Sequence, residues 1–166
     1  MPEAVWKAYI DFEIEQAATG SENYDPVRNL YERLLDITQH VKVWISYAKF
    51  EEEQVGSIDN ARLIYERGCN HFKDFQPDQK EERVMLLETW LQFEMVERPD
   101  QTGGLDSKEA ERVRAKLPKR VKKRRKVQAG EEVGWEEFFD YIFPEDKAQG
   151  KNLKILEMAH KWKTVD

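Results

Sequence analysis

Residues 44–51, Trp44-Ile45-Ser46-Tyr47-Ala48-Lys49-Phe50-Glu51, set Trp, Tyr, Phe and Glu at offsets 0, 3, 6 and 7. The same residue types keep the same offsets in Trp6, Tyr9, Phe12 and Glu13, 38 positions earlier. A third copy stands 43 positions later when Leu87 takes the Trp place, followed by Trp90, Phe93 and Glu94. At about 100° per residue, offsets 0, 3 and 7 fall on one side of a helix and offset 6 borders it. Each copy therefore predicts a helix with an aromatic face that ends in a carboxylate. A weaker fourth copy starts at Trp135, with Phe138 and Tyr141 in place but Ile142 where the Glu belongs.

A second helical pattern follows the first. Val27, Leu30, Tyr31 and Leu34 are spaced i, i+3, i+4, i+7, and Ala61, Ile64, Tyr65 and Gly68 repeat that spacing 34 residues on. The punctuation between patterns agrees: Gly20 and Gly56 close first helices, Asp25-Pro26 opens a second, and Asp78 with Glu81 has capping-box spacing. The predicted organisation is three helix pairs over about 1–37, 38–73 and 78–117, a basic linker at 118–133, and a degenerate terminal helix pair at 134–166. Trp135, Phe138, Phe139 and Ile142 would form the first face of that last pair, and Ile155, Met158, Ala159 and Trp162 the second, after a break at Pro144. One helix pair cannot bury its own apolar face, so stacking on neighbours must supply the core. The expected fold class is all-α, an array of antiparallel helix pairs.

Composition narrows the functional classes. Charged residues make up 36% and apolar ones 40%, so 19 aromatic side chains must supply much of the core. No run reaches the eighteen or so apolar residues of a membrane span, and the first residues lack the pattern of a signal peptide, so no membrane association is expected. Cys69 is the single cysteine, which allows no internal disulfide or thiolate cluster and suits a small buried hydrophobe. Glu51, Glu52 and Glu53 radiate in different directions from a helix, and His40, His71 and His160 are scattered, so neither group predicts a metal site or a catalytic set. Gly103-Gly104 has no Lys-Ser/Thr to complete a phosphate loop. The chain reads as a non-enzyme without cofactor or small-molecule substrate.

Charge is unevenly distributed. Residues 119–126 hold seven cations, Lys119, Arg120, Lys122, Lys123, Arg124, Arg125 and Lys126, in a chain whose net charge is −6. Such a run could neutralise RNA phosphates, be read by a nuclear-import factor, meet an acidic protein surface, or serve as a solvated linker. The stretch itself contains no aromatic residue to stack on bases, which weighs against a dedicated RNA reader.

The pattern Trp-x-x-Tyr-x-x-Phe-Glu followed by Ala61-Arg62-Leu63-Ile64-Tyr65-Glu66-Arg67 resembles the HAT (half-a-TPR) repeat. Three longer blocks resemble the Crooked neck branch of that family: 38–45, 118–127, and 134–146 with its Asp140-Tyr141-Ile142-Phe143-Pro144-Glu145-Asp146. The resemblance covers nearly the whole chain and implies a right-handed superhelical solenoid, cut from the carboxy-terminal repeats of a longer protein. It also implies structural ion pairs within each repeat: Glu13 with Arg28, Glu51 with Arg62, and Glu94 with Arg112. In function it implies a nuclear scaffold in pre-mRNA splicing, bound to Myb-domain and HAT-repeat subunits of the nineteen complex. The alternatives are a HAT-repeat scaffold of mRNA 3′-end processing, or an RNA-binding module acting through the basic run.

Overall fold

Three side chains stand just ahead of helices and accept backbone N–H groups that the first turn leaves unpaired. His40 Nδ1 accepts from Lys42 at 3.3 Å, Ser57 Oγ from Asn60 at 3.3 Å and Ser107 Oγ from Ala110 at 3.1 Å. They open α3 (Val41–Phe50), α4 (Ile58–Phe75) and α6 (Lys108–Arg114). Before α3 come α1 (Glu3–Gly20) and α2 (Asp25–Ile37), the latter with Pro26 in its first turn, where no N–H is needed. Between α4 and α6 lies α5 (Lys80–Met95). After Phe50 the helix widens into a π turn, Glu51–Val55, which Gly56 ends at φ 74°, a conformation open to glycine without strain. The computed structural model describes residues 3–20, 23–99 and 103–147, so the helix expected around Ile155 to Trp162 lies outside the described residues.

The chain divides into two units, 1–90 and 91–166. In the first, α1 packs on α2, α2 on α3 and α3 on α4. The apolar positions of the repeat form its core: Trp6, Tyr31, Trp44, Tyr47, Phe50, Tyr65, Leu87 and Trp90 are all buried. Tyr31 stacks on Tyr47 at 4.7 Å, and Tyr65 lies parallel to Trp90 at 6.2 Å. In both cases the tyrosine of a second helix meets the offset-3 aromatic of the next motif, so the contact recurs with the repeat. Phe50 completes the seam against Tyr31 and Tyr24. On α1 the equivalent residues differ: Tyr9 is 45% and Phe12 54% exposed, against 5% for Tyr47 and 4% for Phe50. What buries the Tyr and Phe positions is thus a preceding second helix, not their own repeat.

His71 on α4 sits among the rings of Trp44, Phe72 and Phe75, and its Nε2 is buried without a hydrogen-bond partner among the described residues. Burial holds its pKa below the ordinary histidine value. The unfolded chain therefore takes up the proton first, so this contribution to stability is present above about pH 6.5 and is lost as pH falls below it. A melting temperature that drops between about pH 7.5 and 5.5, with a smaller drop in His71→Phe, is the expected result. Equal drops in the two proteins would rule His71 out as the cause.

In the second unit, Gly103 at φ 83° allows a close turn after α5, where an added Cβ would lie 2.3 Å from the Val96 carbonyl. Arg98 donates to the Phe93 carbonyl at 2.7 Å and lies over the Phe93 ring. Ala110 and Val113 of α6 are buried, as is Phe143.

The remainder departs from the helical expectation. Residues expected as a linker and as the first terminal helix form an antiparallel hairpin, β1 (Lys119–Ala129) and β2 (Glu132–Ile142). Its register runs from Lys119↔Ile142 to Ala129↔Glu132, closed by Gly130-Glu131 with Gly130 at φ 68°. The fourth motif copy at Trp135 is therefore a strand, and Trp135 is 65% exposed rather than buried. Electrostatics explains the correction. In a helix the run 119–126 would set cations beside cations at i+3 and i+4, whereas the hairpin interleaves them with Glu136, Glu137 and Asp140. Helical pairs still dominate the fold, with the strand pair as an addition.

Candidate functional site

Two clusters of charge call for explanation, one buried in the repeats and one on the hairpin. In the first, Arg28 of α2 donates to both oxygens of Glu51, from Nε at 2.6 Å and NH2 at 3.1 Å, and from NH1 to Asp25 at 3.0 Å. Asn60 Nδ2 adds a bond to Glu51 at 3.2 Å. Glu51 is only 1% exposed, and the paired carboxylate raises the Arg28 pKa further above its already high value. The expected Glu13–Arg28 pair is not what forms: the arginine of one helix pair reaches forward to the carboxylate of the next. Arg62 bonds Asp59 on its own helix at 3.4 Å, and Glu94 is buried like Glu51. The partner assignments within repeats expected for Arg62 and Arg112 remain expectations.

A second tie joins the same two helix pairs. Arg67 of α4 makes a bidentate pair with Glu32 of α2, at 2.8 and 2.9 Å, and lies 5.6 Å from the Trp44 ring. The Arg67 hydrogen bonds hold the Glu32 carboxyl below its ordinary pKa, and burial, followed by Glu32 itself, pushes the Tyr47 phenol up. Both ties lock helix to helix, a structural use of ionisable groups. Sequence reasoning missed Glu32, Asn60 and Arg67 as members, although Arg67 stands in the quoted HAT block.

On the hairpin, strand alternation sorts the basic run onto two faces. Lys119, Lys123 and Arg125 share one with Glu132, Glu136, Asp140 and Phe138. There Arg125 bonds Glu136 at 2.8 Å and lies over Phe138, and Lys123 pairs with Asp140. Arg120, Lys122, Arg124 and Lys126 occupy the other face with Val133, Trp135, Glu137, Phe139 and Tyr141. Lys122 and Arg124 share the one carboxylate there, Glu137, while Arg120 lies 3.7 Å over the Phe139 ring and Lys126 5.5 Å from the Trp135 ring. Aromatic residues absent from the linear run thus come from the opposite strand, which reverses the argument from sequence that stacking partners are lacking.

The family described as the PRP39 C-terminal HAT repeat matches residues 3–101. Crooked neck-like protein 1 of Mus musculus is 52% identical, over 98% of this chain and 22% of that protein. Pre-mRNA-splicing factor CLF1 of Pyricularia oryzae is 43% identical, over 92% of this chain and 22% of its own. Protein crooked neck of Drosophila melanogaster is 46% identical, over 80% and 19% respectively. The chain thus spans about a fifth of the length of these curated relatives.

Proposed function

Because the chain belongs to the HAT-repeat family and is Crooked neck-like in sequence, we propose that it is a non-catalytic scaffold segment of the pre-mRNA splicing machinery in the nucleus. Likeness to relatives named as pre-mRNA-splicing factors, extending through both the helix pairs and the hairpin, carries this reading. The chemistry of the interior supports it. Buried charges such as Glu51 are consumed in ties between repeats, which suits a surface that must hold shape rather than turn over a substrate. In a protein of the relatives' length, a further helix pair stacked before α1 would cover Tyr9 and Phe12 as α2 covers Tyr47 and Phe50.

The partners proposed are other splicing-complex proteins, specifically a Myb-domain subunit and a second HAT-repeat subunit of the nineteen complex. Affinity purification of the full-length protein from nuclear extract tests this. Recovery of those two subunits with other splicing proteins is the expected result, whereas recovery of polyadenylation factors without splicing proteins would move the scaffold to 3′-end processing.

A further inference from the structure

We propose that the hairpin face bearing Arg120, Lys122, Arg124, Lys126, Trp135, Phe139 and Tyr141 is a binding platform for single-stranded RNA. Three observations converge on it. Four cations share this face with one carboxylate, while on the opposite face three cations meet three carboxylates. The positive charge of the run is therefore concentrated on one side of the ribbon, as a phosphate backbone would require. The same face carries two large aromatic side chains open to solvent, Trp135 at 65% and Phe139 at 53% exposed. Exposed rings beside cations are what a single strand uses, since bases stack on the rings while phosphates meet the cations.

The third observation is arrangement. Lys126 stands directly opposite Trp135, and Arg120 reaches diagonally over Phe139, so cation and ring alternate along the face. Rings two positions apart on a strand are separated by about 7 Å. Phe139 and Trp135 are four positions apart, which leaves about 13 Å between them, room for splayed or stacked nucleotides rather than one intercalated base. An acidic peptide could answer the charge but would leave the rings unused, and a rigid duplex could not offer its bases to them. The commitment to RNA over another single strand rests on the splicing reading; the platform itself rests on the face alone.

Fluorescence anisotropy of a labelled ten-nucleotide oligouridine, titrated with the whole 166-residue chain, tests the proposal without reference to co-purifying proteins. Binding should weaken with salt, with a log–log slope of about −2 to −3 for three to four phosphate contacts on a single strand. Trp135→Ala should weaken binding by about tenfold, and Trp135→Phe, which keeps a ring, by less than about threefold. Arg124→Ala with Lys126→Ala should weaken it and flatten the salt slope by about 1.4. Lys123→Ala with Arg125→Ala on the opposite face should leave affinity within about twofold.

Circular dichroism and melting of each variant separate loss of the platform from loss of the fold, with Trp135→Phe as the conservative control. Four results would overturn the proposal: no binding at low salt, binding indifferent to salt, equal losses from the two faces, or tighter binding of a polyglutamate peptide than of the RNA. Failure here with splicing subunits still recovered from extract would leave the scaffold reading standing.

Discussion

Arg28→Met is expected to lower the unfolding free energy by about 3 kcal/mol, the lower end of the range for stranding one charge of a buried pair, because Glu51 is buried while the Arg28 side chain is about a third exposed. Methionine keeps the length of the apolar stem and removes only the guanidinium, so lost packing contributes little. What remains is Glu51, 1% exposed, with Asn60 as its other side-chain donor. The Asp25 arm of the cluster cannot compensate, because its carboxylate is 72% exposed and already hydrated. Arg67→Met supplies the comparison. Its pair with Glu32 has similar geometry, but both side chains are about half in water, and exposed pairs contribute about 0–1 kcal/mol.

Urea denaturation of the two variants at neutral pH should separate them by about 2 kcal/mol or more. Adding Glu51→Leu to Arg28→Met should restore much of the loss, because the stranded charge goes with it. An Arg28→Met protein as stable as Arg67→Met would show that Glu51 gains no shelter from water in solution.

How much of this was legible in the sequence varies with how local the cause is. The helix-pair pattern was readable because a 3.6-residue period is written along each helix by its own apolar positions, such as Val27, Leu30, Tyr31 and Leu34. The Arg28–Glu51 tie was misassigned because spacing alone cannot say which neighbour a helix face meets. Yet a signal was present. Arg28 and Tyr31 share a face of α2 at i, i+3, and Tyr47 of α3 and Glu51, the first residue of the π turn that continues it, stand at i, i+4. If the tyrosines stack, arginine and glutamate must meet.

The hairpin was lost for a different reason. Trp135, Phe138, Phe139 and Ile142 satisfy the helical template, yet Val133, Trp135, Phe139 and Tyr141 also satisfy the alternating one. Short segments with both readings are decided by what lies opposite. Here the deciding element was non-local: a glycine, Gly130, at the centre of two 11-residue runs, basic on one side and acidic-aromatic on the other. That mirror complementarity was visible in the residues, and it turns a charge run into a sided surface.

The packing around Gly68 makes the sharpest test of the repeat core. Trp44→Ala should cost about 3–5 kcal/mol, the range for removing a large buried aromatic. Gly68 ought by propensity alone to gain about 1 kcal/mol on becoming alanine in mid-helix. In this core it should instead lose stability. An added Cβ would stand 2.8 Å from Leu86 Cδ2 and 3.0 and 3.1 Å from Trp44 Cδ2 and Cγ. The leucine methyl can swing aside, but the indole is held within the α3–α4 seam, beneath the Arg67 guanidinium. Overpacking of this kind costs about 1–3 kcal/mol.

The sign should then depend on the background. In Trp44→Ala the ring atoms are gone, Leu86 alone must yield, and Gly68→Ala should turn from destabilising to neutral or stabilising. A coupling of about 1–3 kcal/mol between the two positions follows for residues in direct contact. Denaturation of the two single variants and the double variant measures it. Equal effects of Gly68→Ala in both backgrounds would mean that the indole does not lie against α4, and the stacking of aromatic motif on small-residue helix would have to be abandoned.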